Sequence, residues 1–149
     1  MITTEDILEG VKLLWDGNAI LTGLVTGGLI FGRVPDGTAS PYASLKVAPG
    51  EVQLNAGSAY LQQYAIELTT WDESGAAALG PIQRQLEATF STKGGGQLAS
   101  RVTLNLPSGR TLQVLHGIKQ PGTLDEDAQT QKAQSVKYSF DRFELLCQG

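Results

Sequence analysis

The sequence predicts an α+β domain: a mostly antiparallel β-sheet with two main helices packed on one face, and a long hairpin and a long loop projecting from it. Two stretches place apolar residues at helical spacing, several others alternate apolar with polar residues, and the strands outnumber the helices and cluster along the chain. The 149 residues fit one domain spanning 1–149, a length at which roughly 68–70% of the unfolded surface can be buried.

Ile7, Leu8, Val11, Leu14 and Trp15 recur at spacings of three and four, so a helix is expected from about residue 4 to 15. Thr3 or Thr4 can cap it, and Glu5 and Asp6 suit its positive end. Asp16-Gly17-Asn18 breaks it, a short helical piece with Ile20, Leu21, Leu24 and Val25 follows, and Gly27-Gly28 ends helical structure. Leu29–Val34 reads as a short strand, after which Pro35, Gly37 and Pro41 impose a loop. Tyr42–Ala48 alternates with Ala43, Leu45 and Val47 on one face, and residues 48–51, APGE, carry turn chemistry. Tyr60–Trp71 is the clearest strand, with Tyr60, Tyr64, Ile66 and Leu68 on one side and Gln63, Glu67 and Thr69 on the other.

A second long helix follows, capped by Asp72 or Ser74 and striped with Ala77, Ala78, Ile82, Leu86 and Phe90; it begins at Pro81 or kinks there, because proline lacks the backbone donor. KGGG, 93–96, ends it and reads as a flexible connection. Arg101–Leu115 is expected to be a hairpin in which Val102, Leu104 and Leu106 answer Leu112 and Val114 across Pro107-Ser108-Gly109. A polar loop then leads to a last strand, Ser135–Cys147. There Val136, Tyr138 and Phe140 have one parity and Phe143 and Leu145 the other, so a bulge near Asp141-Arg142 is expected to bring both sets to one face.

Composition excludes several classes. At 41% hydrophobic and 17% charged residues the chain is neither disordered nor membrane-spanning, and no apolar run approaches the roughly 18 residues a span needs. The N-terminus opens with acids and lacks the pattern of a secretory signal. A net charge of −4 is the reverse of the basic footprint that DNA binding requires. Cys147, the single cysteine, permits no intrachain disulfide or thiolate zinc site and reads as a small apolar side chain.

Catalytic patterns are missing. His116 is the single histidine and has no Gly-x-Ser-x-Gly elbow to serve, and in STKGGGQ the lysine precedes the glycines, unlike a phosphate-binding loop. Asp125, Glu126 and Asp127 are adjacent acids without calcium-loop spacing and read as a solvated loop. No catalytic, cofactor or metal residue is therefore expected. Two segments invite another role: the hairpin from Leu45 to Tyr60, whose outer part from Glu51 to Ser58 has little apolar anchorage, and the polar connection from Lys119 to Gln134 of about 15 residues, a length at which loops tend to be functional.

Taken in order, AILTGLV, VPDGTASPYASLKV, LTTWDES, IQRQLEATF and YSFDRFELL resemble the tail-terminator, or tail-completion, proteins of long-tailed bacteriophages and related prophages and gene transfer particles; the resemblance rests on Val34-Pro35, Pro41-Tyr42 and Trp71. The long PGTLDEDAQTQKAQ segment departs from the family's shorter members. The resemblance implies a small α+β virion protein, assembled in the host cytoplasm. It would form a ring, typically hexameric, on the head-proximal end of the tail tube, stopping tube growth and meeting the head-side connector. Pro41-Tyr42 would lead rigidly into a strand and Trp71 would be a buried anchor. The contact residues expected toward neighbouring subunits or the tail tube are Lys46, Glu51, Gln53, Asn55 and Tyr60 of the hairpin and Asp125, Glu126, Asp127, Gln129 and Lys132 of the loop. The three acids would face a lumen through which DNA passes without specific binding. A head-side connector or stopper is the alternative within the same particle. A small enzyme or ligand-binding domain would need a deep pocket joining His116 to a carboxylate and a hydroxyl.

Overall fold

The computed structural model describes residues 2–53, 61–73, 79–120, 123–126 and 137–149. The chain runs α1 (Thr4–Asp16), α2 (Ala19–Leu24), β1 (Leu29–Phe31), β2 (Tyr42–Gln53), β3 (Leu61–Asp72), α3 (Leu79–Phe90), two 3₁₀ turns, β4 (Val102–Asn105), β5 (Thr111–Lys119), β6 (Thr123–Glu126) and β7 (Lys137–Gln148). Among the described residues seven strands form one sheet in the order β1-β2-β3-β7-β5-β4, with β6 also paired to β7. Among the described strands only β1 and β2 pair in parallel; the fold is α+β, as the alternation pattern predicts.

α1 starts where its chemistry says it should. The Thr3 hydroxyl accepts from Asp6 N at 3.2 Å and the Asp6 carboxylate accepts from Thr3 N at 2.9 Å, a reciprocal capping box. The same carboxylate pairs with Arg110 at 3.2 Å, fastening α1 to the β4–β5 turn. Asn18 caps α2 through Ile20 N and Leu21 N, and its amide donates to Gln85 and Thr89 of α3. Ile7, Val11, Leu14 and Trp15 of α1 and Ile82, Leu86 and Phe90 of α3 are all buried against one face of the sheet. Facing them are Tyr64, Ile66 and Leu68 of β3, Val114 of β5, and Phe143, Leu145 and Cys147 of β7. Burial drives the Cys147 thiol up to about 12, so it packs as an inert side chain.

Several elements differ from expectation. β1 stops at Phe31, because Gly32 takes a left-handed φ of 80° that ends the strand. β2 does not turn at residues 48–51 but continues to Gln53, with a register shift between Pro49 and Val52. Pro49 is tolerated because β1 reaches only as far as Leu45, which leaves that part of β2 as a sheet edge. Asp72 closes β3, while Ser74, Ala77 and Ala78 lie outside the described residues. Pro81 does not start α3; it is the third residue of Leu79–Phe90, where its missing N–H has no intrahelical partner to lose. The KGGG segment is ordered into the 3₁₀ turns Thr92–Gly94 and Gln97–Ala99, and Gln97 donates to Leu14 O at 2.8 Å.

The largest correction concerns β7. Its register against β3 is unbroken from Leu61↔Gln148 to Asp72↔Lys137, so there is no bulge at Asp141-Arg142. The helix-covered face takes Ser139, Asp141, Phe143, Leu145 and Cys147, while Tyr138, Phe140 and Arg142 point to the other side. The strand stays straight because the open face holds Tyr138 against Trp71, and Gln83 supplies a hydrogen bond to the carboxylate on the covered side. The irregularity lies instead in β5, between Val114 and His116.

Candidate assembly interface

Because both long helices lie on one face, the other face of the sheet is built from alternate residues of β2, β3, β7 and β5. At one end Tyr42, Trp71 and Tyr138 stand side by side across three strands, the Trp71 and Tyr138 rings 5.1 Å apart. Burial, reinforced by Glu73, raises the Tyr42 hydroxyl above the usual tyrosine range. Trp71 is thus not a buried anchor; it is half-buried on the open face. The next row holds Ser44, Thr69 and Phe140, and the one after it Lys46, Glu67 and Arg142. Arg142 lies 3.3 Å from Glu67 and 4.0 Å from Glu144, to which Gln63 also donates. Farther along come Ile118, half-exposed at 50%, Leu146 and His116.

The expected contact residues fall on this frame as follows. Lys46 is exposed in the middle of the open face, opposite Glu67. Glu51 and Gln53 belong to the last part of β2, within the sheet and not beyond it. Asp125 and Glu126 are in β6, in register with Tyr138 and Lys137, so a strand stands where a loop was expected. The reason is that β5 leaves the upper half of β7 unpaired, and a strand edge there accepts whatever backbone can reach it. Asn55, Tyr60, Asp127, Gln129 and Lys132 lie outside the described residues.

The two segments expected to make contacts reach the sheet at opposite ends. β2 ends at Gln53 beside Leu61, which pairs with Gln148, whereas β6 pairs with Lys137–Phe140 at the far end of the same β7 strand. The twelve residues of β3 between those ends span roughly 37 Å at about 3.4 Å per step. Sequence reasoning missed the aromatic row and the Glu67–Arg142–Glu144 cluster. The signal was present in the polar parity of β3, which selects Glu67 for the side away from the core.

His116 lines a groove of about 780 Å³ between the free edge of β5 and the end of α3, together with Glu87, Thr92, Ile118 and Lys119. The groove also carries the Ser91 hydroxyl; Glu87 pairs with Lys119 at 3.3 Å, and the Thr92 hydroxyl accepts from Gly117 N at 3.0 Å. The His116 Nδ1 atom is buried without a partner. Among the described residues no group of three His, Cys, Asp or Glu is placed to hold a metal, and no helix is long and apolar enough to cross a membrane.

Neither a protein-family model nor a curated protein matches the sequence. A solved structure shares the fold: a chain of the virion of a native gene transfer agent particle superimposes with a TM-score of 0.61 at 16% sequence identity, over 93% of this chain and 92% of that one.

Proposed function

We propose that this chain is a structural protein of a tailed, phage-like particle. In this reading it forms a homo-oligomeric ring, hexameric on the pattern of the family it resembles. The ring caps the head-proximal end of the tail tube, ends tube polymerisation and offers the surface that joins the head connector. The observation that carries this is the end-to-end likeness in fold to a chain of a gene transfer agent virion, 93% of one against 92% of the other. The sheet geometry supports it. A closed ring needs two different patches on each subunit, and the hairpin end and the β6 end are different patches on opposite ends of one rigid sheet. The partners would be other copies of the chain, the tail tube and the head-side connector, with DNA passing through the lumen unbound.

Light scattering combined with negative-stain imaging, with and without purified tail tubes, tests the assignment. Annular particles, or a cap on one end of the tubes, are the expected result; a monomer that ignores the tubes overturns it. The likeness is to a chain of the particle as a whole, so a head-side connector of the same particle is the second reading. The end of an isolated tail on which the protein is seen distinguishes the two.

A further inference from the structure

On the helix-covered face of the sheet Thr70, Ser139 and Asp141 lie on adjacent strands with no exposed surface. Thr70 and Ser139 are direct cross-strand partners, and Asp141 lies two residues along β7, opposite Leu68. Gln83, from the first half of α3, donates its amide to the two carboxylate oxygens at 3.2 and 3.4 Å. The Thr70 and Ser139 hydroxyls make no hydrogen bond. A carboxylate can accept about four hydrogen bonds, so one amide leaves this one poorly solvated, and the two nearby donors do not help it.

Charged groups of opposite sign act on Asp141, Lys119 more strongly than Glu87. Lys119 reaches toward it from β5 and Glu87 from α3, and these two pair with each other at 3.3 Å. β3 contributes the neutral Leu68 and Thr70, and β7 itself Ser139 and Phe143; Asp72 lies farther along the same face. Desolvation dominates, opposed by Lys119 and the Gln83 hydrogen bond and aided by Glu87, and lifts the carboxyl from 3.8 to about 6.

We infer that Asp141 is a proton-sensitive latch buried in the covered face of the sheet: the folded domain takes up a proton there on mild acidification, and its ionisation as pH rises toward neutral lowers the stability of the folded domain. The sign follows from linkage. Because the folded group binds its proton more tightly than the unfolded one, its stabilising effect is complete below about pH 4 and is lost as pH rises to about 6. The inference does not depend on the assembly reading.

The test is denaturant unfolding between pH 4 and pH 8 on the wild type and on Asp141→Asn, which cannot ionise. Relative to the variant, the wild-type unfolding constant should rise by on the order of a hundredfold from pH 4 to pH 7. Parallel pH profiles for the two proteins overturn the latch. An independent readout needs no variant of Asp141: carbon-13 NMR of its carboxyl in the wild type should give a midpoint near 6, moving higher in Gln83→Met, which lacks the amide donor. A midpoint near that of an exposed aspartate, unmoved in Gln83→Met, also refutes it.

Discussion

One strand, β7, lies between two environments. Toward the helices it presents Phe143, Leu145 and Cys147, each at most 1% exposed, and toward the open side Tyr138, Phe140 and Arg142, all partly exposed. Both sets contain aromatic side chains, so aromaticity does not tell the two faces apart. What does is the company each side chain keeps. Phe143 packs against Phe90 of α3 with centroids 5.7 Å apart, whereas Tyr138 has one ring neighbour, Trp71, and then the surface. The covered face holds the domain together, while the other face leaves its side chains partly exposed.

That contrast breaks most visibly at Phe143. Truncation to alanine should cost about 3–5 kcal/mol in denaturant unfolding, while Phe140→Ala, on the open face one pairing step past Asp141, should cost less than half of that. Equal losses would mean that the open face is packed too. Next in size is Gly117, whose added Cβ would lie 2.0 Å from Phe90 O, a backbone atom that cannot yield cheaply. Gly117→Ala should therefore destabilise by about 1–3 kcal/mol through overpacking and lower the thermal midpoint. The effect belongs to the covered face, since Gly117 pairs with Leu145 there.

How much of this was legible in the sequence depended on which force placed each residue. α1, α3, β3 and the β4–β5 hairpin follow from periodicity, because in each the apolar residues share one parity or stripe: Val102 faces Val114 and Leu104 faces Leu112, as the alternation requires. β7 misled because its first half reverses the rule. Tyr138 and Phe140 look like core residues and Ser139 and Asp141 look like surface, yet a cross-strand ring on one side and the Gln83 amide on the other settle them the opposite way. Those partners come from β3 and α3, distant in sequence, so no local pattern contains them. β6 was hidden for a similar reason: TLDE is a poor strand sequence, and it pairs because β7 offers an unfilled edge. The contact residues were legible only as segments, since the hairpin's place within the sheet and the separation of its end from β6 are properties of the register.

The smallest expected effect on stability is also the one that bears most on assembly. Glu67 and Arg142 are cross-strand partners on the open face, with side chains 19% and 40% exposed and 3.3 Å apart. A pair so exposed to solvent is worth roughly 0–1 kcal/mol, so Glu67→Gln with Arg142→Gln should leave the unfolding midpoint almost unchanged. Trp71→Ala should cost more, because the lost ring contact with Tyr138, about 1 kcal/mol, adds to the burial that a half-buried ring gives up. If the open face meets another subunit or a tube, these same changes, though they leave the isolated domain folded, should abolish annular particles. Desolvating a charged cluster or removing an aromatic anchor matters far more where water is excluded than where it is present. Substitutions that leave both folding and rings intact would move the interface off this face and onto the two ends of the sheet, where ring formation should then respond to changes in Glu51 and Asp125.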